Sequence, residues 1–183
     1  DHFFGLPGLI ENLSKNHYSG ILQLYGPKGT RKNMERLIDA MFIRKKLGLQ
    51  LNEIKKDGMF LKEKNFSMES AALDHSVSCI GYAFHTPSTL KIKMDVLKKY
   101  GLKSGPIIGQ LQKGKDIVVG GKTITVKEAT YLKPGKKITI LLDTRVCSNA
   151  VKLAKNADVL VCESTFAEDR KDKAKEFGHL TAK

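Results

Sequence analysis

The chain of 183 residues is long enough for one domain with a proper core, and its 41% hydrophobic and 28% charged content is that of an ordinary soluble globular protein. No stretch approaches the apolar length a membrane span needs, and no secretory pattern opens the chain, so no membrane association is expected. Thirty-two Lys and Arg against 19 acids leave a net charge of +13, an excess that favours polyanions, nucleic acid first, although a merely lysine-rich cytosolic protein has the same balance.

Three scattered cysteines (Cys79, Cys147, Cys162), without CxxC spacing, argue against a disulfide framework or a structural zinc site. They fit a reducing, cytoplasmic compartment. Aromatic residues are sparse, which speaks against a stacking platform for single strands. The opening Asp1-His2, in place of Met, and the apparent helix start at Lys183 lead us to expect a fragment.

In chain order, Asp1-His2 runs into a Gly/Pro turn, and Leu6, Leu9, Ile10 and Leu13 have helical spacing up to about Asn16. Ile21–Tyr25 reads as a short strand stopped by Gly26-Pro-Lys-Gly29, a string without the Gly-Lys-Ser/Thr order of a phosphate loop. Thr30 is the expected N-cap of a helix over Arg31–Leu47. Short strands are predicted at Leu49–Ile54, Met59–Leu61, Phe66–Leu73 and Val77–Phe84, with Asp74-His75-Ser76 at the end of the third. A short helix over Asp95–Tyr100 ends at Gly101, and Ile117–Val119 pairs with Lys122–Val126 across Gly120-Gly121. Lys137–Leu142 reads as a strand buried on both faces, delivering Asp143. Then come a helix over Ser148–Asn156, a strand over Asp158–Cys162 ending in Glu163, a charged helix over Ala167–Phe177, and Gly178-His179. Strands alternating with helices and hairpins indicate a layered α/β sheet domain.

Several of these elements end in residues suited to metals or protons: Asp1-His2, Asp74-His75, Asp143, Cys162-Glu163 and, on a loop, His179. Imidazoles and carboxylates gathered at loop mouths are the donors of catalytic metal sites. Each also has a plain alternative: Asp143 could cap the next helix, His75 could bond a carbonyl, and His179 could cap a helix. His17 and His85 are read as structural.

Taken in order, the strings Asp1-His-Phe-Phe-Gly-Leu-Pro-Gly-Leu9, Leu73-Asp-His-Ser-Val77, Gly105-Pro-x-x-Gly-x-Leu111, Leu142-Asp-Thr-Arg145, Glu163-Ser-Thr-Phe166 and Gly178-His-x-Thr-Ala182 resemble ribonuclease Z, the tRNA 3′-processing branch of the metallo-β-lactamase superfamily. The resemblance implies an α/β αββα sandwich, of which residues 1–183 are a partial domain. It implies two zinc ions per complete subunit, with Asp1 and His2 ligating one, His75 the other, and Asp143 bridging both. By the same resemblance Asp1 is the proton acceptor for the attacking water, and Glu163 orients His179, which protonates the leaving oxygen.

The family's first motif is His-x-His-x-Asp-His, of which Asp1-His2 match the last two residues. Its remaining histidine ligands lie beyond both ends, so residues 1–183 alone are expected to be inactive. Leu142 stands where the family has Gly, Cys162 where His is common, and Leu180 where Ser is usual.

The implied function is zinc-dependent removal of 3′ trailers from precursor tRNA by a cytoplasmic homodimer. A shortened substrate-binding arm is expected at residues 84–105, with Lys91, Lys93, Lys98, Lys99 and Lys103 facing RNA phosphates. The alternatives are another phosphodiesterase or hydrolase of the same fold, or a non-catalytic RNA-binding paralogue.

Overall fold

The computed structural model describes residues 2–40, 47–102 and 105–183. Asp1, Lys103 and the predicted end of the second helix (41–46) lie outside the described residues.

The first unit is a parallel β-α-β crossover preceded by a helix. Helix α1 (Leu6–Lys15) carries Pro7 in its first turn, where a missing N–H costs nothing. Strand β1 (Ile21–Gly26) pairs in parallel with β2 (Gly48–Glu53), Ile21 opposite Gly48. A parallel pair needs a crossover, and α2 (Thr30–Asp39) belongs to it. Ile10, Met34 and Leu51 form the core between them. The expected cap at Thr30 is displaced by one residue. Gly29 is the N-cap, and no side-chain cap of its own closes the helix. Instead the Glu53 carboxylate accepts from the N–H groups of Gly29 (2.8 Å) and Arg31 (3.1 Å), placing a negative charge at the positive helix end.

The second unit is a five-stranded sheet of β3 (Gly58–Lys62), β4 (Ser67–Leu73), β5 (Cys79–His85), β10 (Lys137–Leu141) and β11 (Val159–Cys162). Its order is β11-β10-β5-β4-β3, antiparallel except for the β10–β11 pair. Helix α6 (Ser148–Ala154) makes the β10–β11 crossover and packs Ala150 and Leu153 on Ala71, Ala83 and Leu141.

One expectation fails here. The strand before Asp143 is buried on one face only: Thr139 and Leu141 lie under α6, whereas Ile138 and Ile140 are 37% and 40% exposed. Val159, Leu160 and Val161 of β11 are exposed as well. An unbroken apolar run predicts two covered faces, but among the described residues only α6 packs on this end of the sheet.

Between β5 and β10 the chain leaves the sheet to build a third unit. It comprises β6 (Thr89–Ile92), α3 (Met94–Lys99), α4 (Ile108–Gln112), the hairpin β7 (Ile117–Val119) and β8 (Lys122–Ile124), α5 (Val126–Ala129) and β9 (Thr130–Lys133). Gly120 and Gly121, at φ 56° and 75°, make the hairpin turn, a conformation glycine adopts without steric cost. Strands β6 and β9 pair antiparallel, and Leu97, Ile108, Leu111, Ile117, Ile124 and Ala129 form a core of the unit's own. The 84–105 stretch thus contributes one strand and one helix to this unit. The β6–β9 pair, only four residues a side, was not anticipated. The charged helix expected over Ala167–Phe177 is a 3-10 turn (Glu168–Arg170) followed by α7 (Lys171–Phe177).

Candidate metal centre

Asp143 lies just beyond β10, in the left-handed region at φ 41°, and is 9% exposed. Asp is among the few non-glycine residues that visit this region, and an outlier of this kind marks a functional candidate. Its neighbour Thr144 is fully buried and latches two other loops. The Thr144 hydroxyl accepts from the Asp74 N–H (3.2 Å), and its own N–H donates to Glu163 (3.0 Å). The ends of β4, β10 and β11 are therefore tied together through one threonine.

The predicted residues converge on this point. The His2 Nε2 atom contacts the Asp143 carboxylate. The His75 Nδ1 atom lies 2.9 Å from the Gly178 carbonyl, which can only accept, so Nδ1 carries a proton and the neutral ring offers its lone pair at Nε2. The His75 and His179 rings stand 5.2 Å apart between centroids. His179 Nδ1 is 2.9 Å from Glu163 Oε1 and 3.6 Å from Asp143 Oδ1.

His179 arrives there because its loop is zipped to the one after β11. Phe166 and Thr181 form a bridge, with Phe166 N–H donating to the Leu180 carbonyl (3.2 Å) and Ala182 N–H to the Phe166 carbonyl (3.1 Å). Gly178, at φ 79° and ψ 37°, ends α7 and turns the chain toward His75.

Glu163 is held as a carboxylate. Burial alone would push it up, but the Thr165 hydroxyl (2.6 Å), the Thr144 N–H, His179 and the Thr165 N–H (3.1 Å) outweigh that and hold it at about 2. Burial first, with the Asp143 charge added, pushes the Cys79 thiol up, and burial with the Glu163 charge does the same for Cys162, so neither suits a nucleophile or a thiolate ligand at neutral pH.

These residues fit a divalent metal. His75 has its outer nitrogen fixed by a carbonyl, the arrangement that orients imidazole ligands. Asp143, Glu163 and His179 have donor atoms within 4.8 Å of one another. With both oxygens of Glu163 occupied by N–H and O–H donors, that carboxylate orients His179, and Asp143, His75 and His2 remain as the donors free to bind. An adjoining cavity of about 600 Å³ is lined by His2, His75 and Asp143 on one side and by Phe3, Tyr25 and Tyr82 on another.

The lysines lie elsewhere. Lys91 is on β6, Lys93 follows it, and Lys98 and Lys99 end α3. Reading the residues for chemistry missed Thr144, Thr165 and Gly178, although all three stand inside the strings that carry the resemblance.

No protein-family profile matches the chain. Over 181 residues it is 33% identical to the ribonuclease Z of Nanoarchaeum equitans, covering 99% of this chain and 57% of that protein. It is 32% identical over 183 residues to ribonuclease Z of Nocardia farcinica, and 36% identical over 195 aligned positions to that of Limosilactobacillus reuteri, in each case covering 100% of this chain and 60% of the relative. Along nearly its whole length the chain is similar to proteins named ribonuclease Z.

It spans roughly three-fifths of the length of these curated relatives, 57% of the first and 60% of the other two. Among solved structures it resembles human tRNase Z, short form, with a TM-score of 0.60 and 21% identity, covering 98% of this chain and 60% of that one. It also resembles the metallo-β-lactamase fold protein YhfI from Bacillus subtilis, with a TM-score of 0.54 and 14% identity over 99% of this chain and 51% of that one. The metallo-β-lactamase-like α/β fold expected from the sequence is borne out. No helix among the described residues is long and apolar enough to cross a membrane.

Proposed function

We propose that the protein is a zinc-dependent endoribonuclease that removes 3′ trailers from precursor tRNA. The observation that carries this reading is the meeting of His2, His75, Asp143 and the Glu163–His179 pair at one mouth of the sheet, from segments up to 177 positions apart. The relatives named ribonuclease Z support the substrate class. N/O donors with an adjoining open cleft suit a catalytic zinc site better than a closed structural one.

Zinc, when bound, supplies Lewis acidity and lowers the pKa of its water to about 7. Asp143 and His75 are the ligands from this part of the site, with Asp1 and His2 completing the amino-terminal share. His179, its Nδ1–H held by Glu163, presents Nε2 as the proton donor to the departing 3′ oxygen.

Substrate binding falls to the unit carrying residues 84–105. Lys91, Lys93, Lys98, Lys99 and Lys103 make the phosphate contacts of the arm, reading the shape of folded RNA rather than its sequence. The protein works as a cytoplasmic homodimer.

The test is cleavage of a precursor tRNA with a 3′ trailer by the full-length protein, beside a chromogenic phosphodiester, together with metal analysis of the same full-length protein. Trailer removal that stops on chelation and returns with zinc is the expected result. Hydrolysis of the small diester alone would move the reading to another hydrolase of this fold. A metal-free protein that binds tRNA without cutting it would make it a binding paralogue.

A further inference from the structure

The geometry points to Arg145 as a positioning residue that clamps the loops of His75 and His179 in register with Asp143. The inference rests on the metal-site reading above, but its evidence is separate. Arg145 sits two residues after Asp143; its backbone N–H and guanidinium reach the residue before His75 and the end of α7, and its carbonyl accepts from the Thr144 hydroxyl (2.7 Å).

Its backbone N–H donates to the Asp74 carbonyl (2.7 Å), and its guanidinium NH1 pairs with the Asp74 carboxylate (3.2 Å). Both partners belong to the residue immediately before His75. The other side of the same guanidinium donates from Nε to the Lys175 carbonyl (2.9 Å) and from NH2 to the Glu176 carbonyl (3.4 Å). Those are carbonyls of the last turn of α7, where no intrahelical donor reaches them and where a cation is favoured.

Gly178 and His179 follow directly, and the Gly178 carbonyl is the acceptor for His75. One planar fork thus fixes the chain before His75 and the helix end before His179, and its own backbone carries Asp143. The span is wide: Arg145 is 71 positions from Asp74 and 30 from Lys175.

A guanidinium is suited to this task because it directs several donors at fixed angles in one plane. A lysine has one ammonium on a flexible stem and keeps at most part of the set. The carboxylate of Asp74 has no other role in the site, so the Asp74–Arg145 pair can be weakened without touching a metal donor. The Thr144 latch, which ties the Asp74 N–H to Glu163, adjoins the clamp, its hydroxyl donating to the Arg145 carbonyl (2.7 Å).

The experiment compares the wild-type chain with Arg145→Gln, Arg145→Lys and Asp74→Asn. One readout is the imidazole nitrogen shifts of His75 and His179 in metal-free protein, and the second is affinity for Co(II) alone, followed by its visible absorption. Lys171→Ala, which removes only the exposed Lys171–Glu168 pair, is the control. With the rings neutral, wild type is expected to show each as one tautomer with the proton on Nδ1. Arg145→Gln is expected to give tautomer-averaged shifts for both rings and to weaken Co(II) binding about tenfold, in the range seen when outer partners of metal ligands are removed. Arg145→Lys and Asp74→Asn should fall between it and wild type.

Wild-type ring shifts and Co(II) affinity in Arg145→Gln would overturn the clamp. If that variant does not fold, unchanged rings and affinity in both Arg145→Lys and Asp74→Asn would overturn it equally. A precursor-tRNA assay on full-length proteins carrying the same substitutions separates the two readings. A wild type that cuts no tRNA, with rings that respond to Arg145→Gln, removes the nuclease and leaves the clamp. A wild type that cuts, with rings indifferent to the substitution, does the reverse.

Discussion

Replacing Gly178 by Ala probes both the fold and the site through one methyl group. The residue has φ 79°, where an L side chain is strained by about 1–2 kcal/mol. The added Cβ would stand 2.7 Å from His75 Nδ1 and 3.4 Å from His75 Cε1, so the imidazole has to move. Moving it lengthens the 2.9 Å bond to the Gly178 carbonyl, with a loss of about 1 kcal/mol. Together the two effects amount to about 2–3 kcal/mol, which in a domain of this size lowers Tm by about 4–12 °C. The freed ring should also bind metal about 10–100-fold more weakly, because its Nδ1 proton is no longer fixed.

Thermal melting and a Co(II) titration on the same sample measure both. Gly8→Ala is the companion: that glycine lies inside α1 with nothing within 4 Å of the added Cβ, so the change should stabilise by up to about 1 kcal/mol. A Gly178→Ala protein that melts and binds Co(II) like wild type would refute the argument that this carbonyl and this backbone turn hold His75.

Asp143→Asn should abolish tight metal binding while changing stability by only about 1 kcal/mol, since Asn also accepts the left-handed backbone and the contacts weakened are those to His2 and His179; retained affinity in metal analysis would remove Asp143 from the ligand set. Glu163→Gln puts an amide NH2 in place of a carboxylate that four donors now face, and should cost about 1–3 kcal/mol at neutral pH. Because Glu163 is held at about 2, below its ordinary 4.5, its stabilisation is complete above about pH 4.5 and is lost as pH falls toward 2. Urea unfolding of the two proteins should therefore differ at pH 6 and converge near pH 2, and a pH-independent gap would contradict the assignment. Replacing Lys98 and Lys99 together by Ala should weaken tRNA binding and reduce the salt slope by about 2, roughly 1 per phosphate contact, with hydrolysis of a small phosphodiester unchanged; an unaltered slope in filter binding at several salt concentrations counts against the arm.

Much of the site was legible because its residues sit at the ends of apolar runs. A strand such as Lys137–Leu141 announces itself by composition, and the polar residue that follows must be where the sheet stops, so Asp143, Asp74-His75 and Glu163 could be located before any coordinates. Their convergence could not be read that way, because it depends on which strands are neighbours. The β4–β5, β5–β10 and β10–β11 pairings set those three ends along one edge, and pairing is decided by packing across long stretches of chain. The cap on α2 failed for a related reason: a local hydroxyl was expected, and a carboxylate 24 positions away from Gly29 took its place. Burial of the Asp143 strand was overestimated because apolar residues state what a face prefers, not what covers it.

The lysine-bearing unit enters and leaves the sheet at nearly one point. Thr86 N–H donates to the Lys136 carbonyl (2.9 Å), Lys136 N–H donates back to the Thr86 hydroxyl (2.8 Å), and Gly135 N–H donates to the Ser88 hydroxyl (3.1 Å). An excursion whose two feet are stitched together in this way behaves as a cassette. Its interior can be trimmed, extended or recharged without altering the spacing between β5 and β10, which is the spacing that sets the distance from His75 to Asp143. The lysines carried on that unit can therefore change without moving the residues gathered around Asp143.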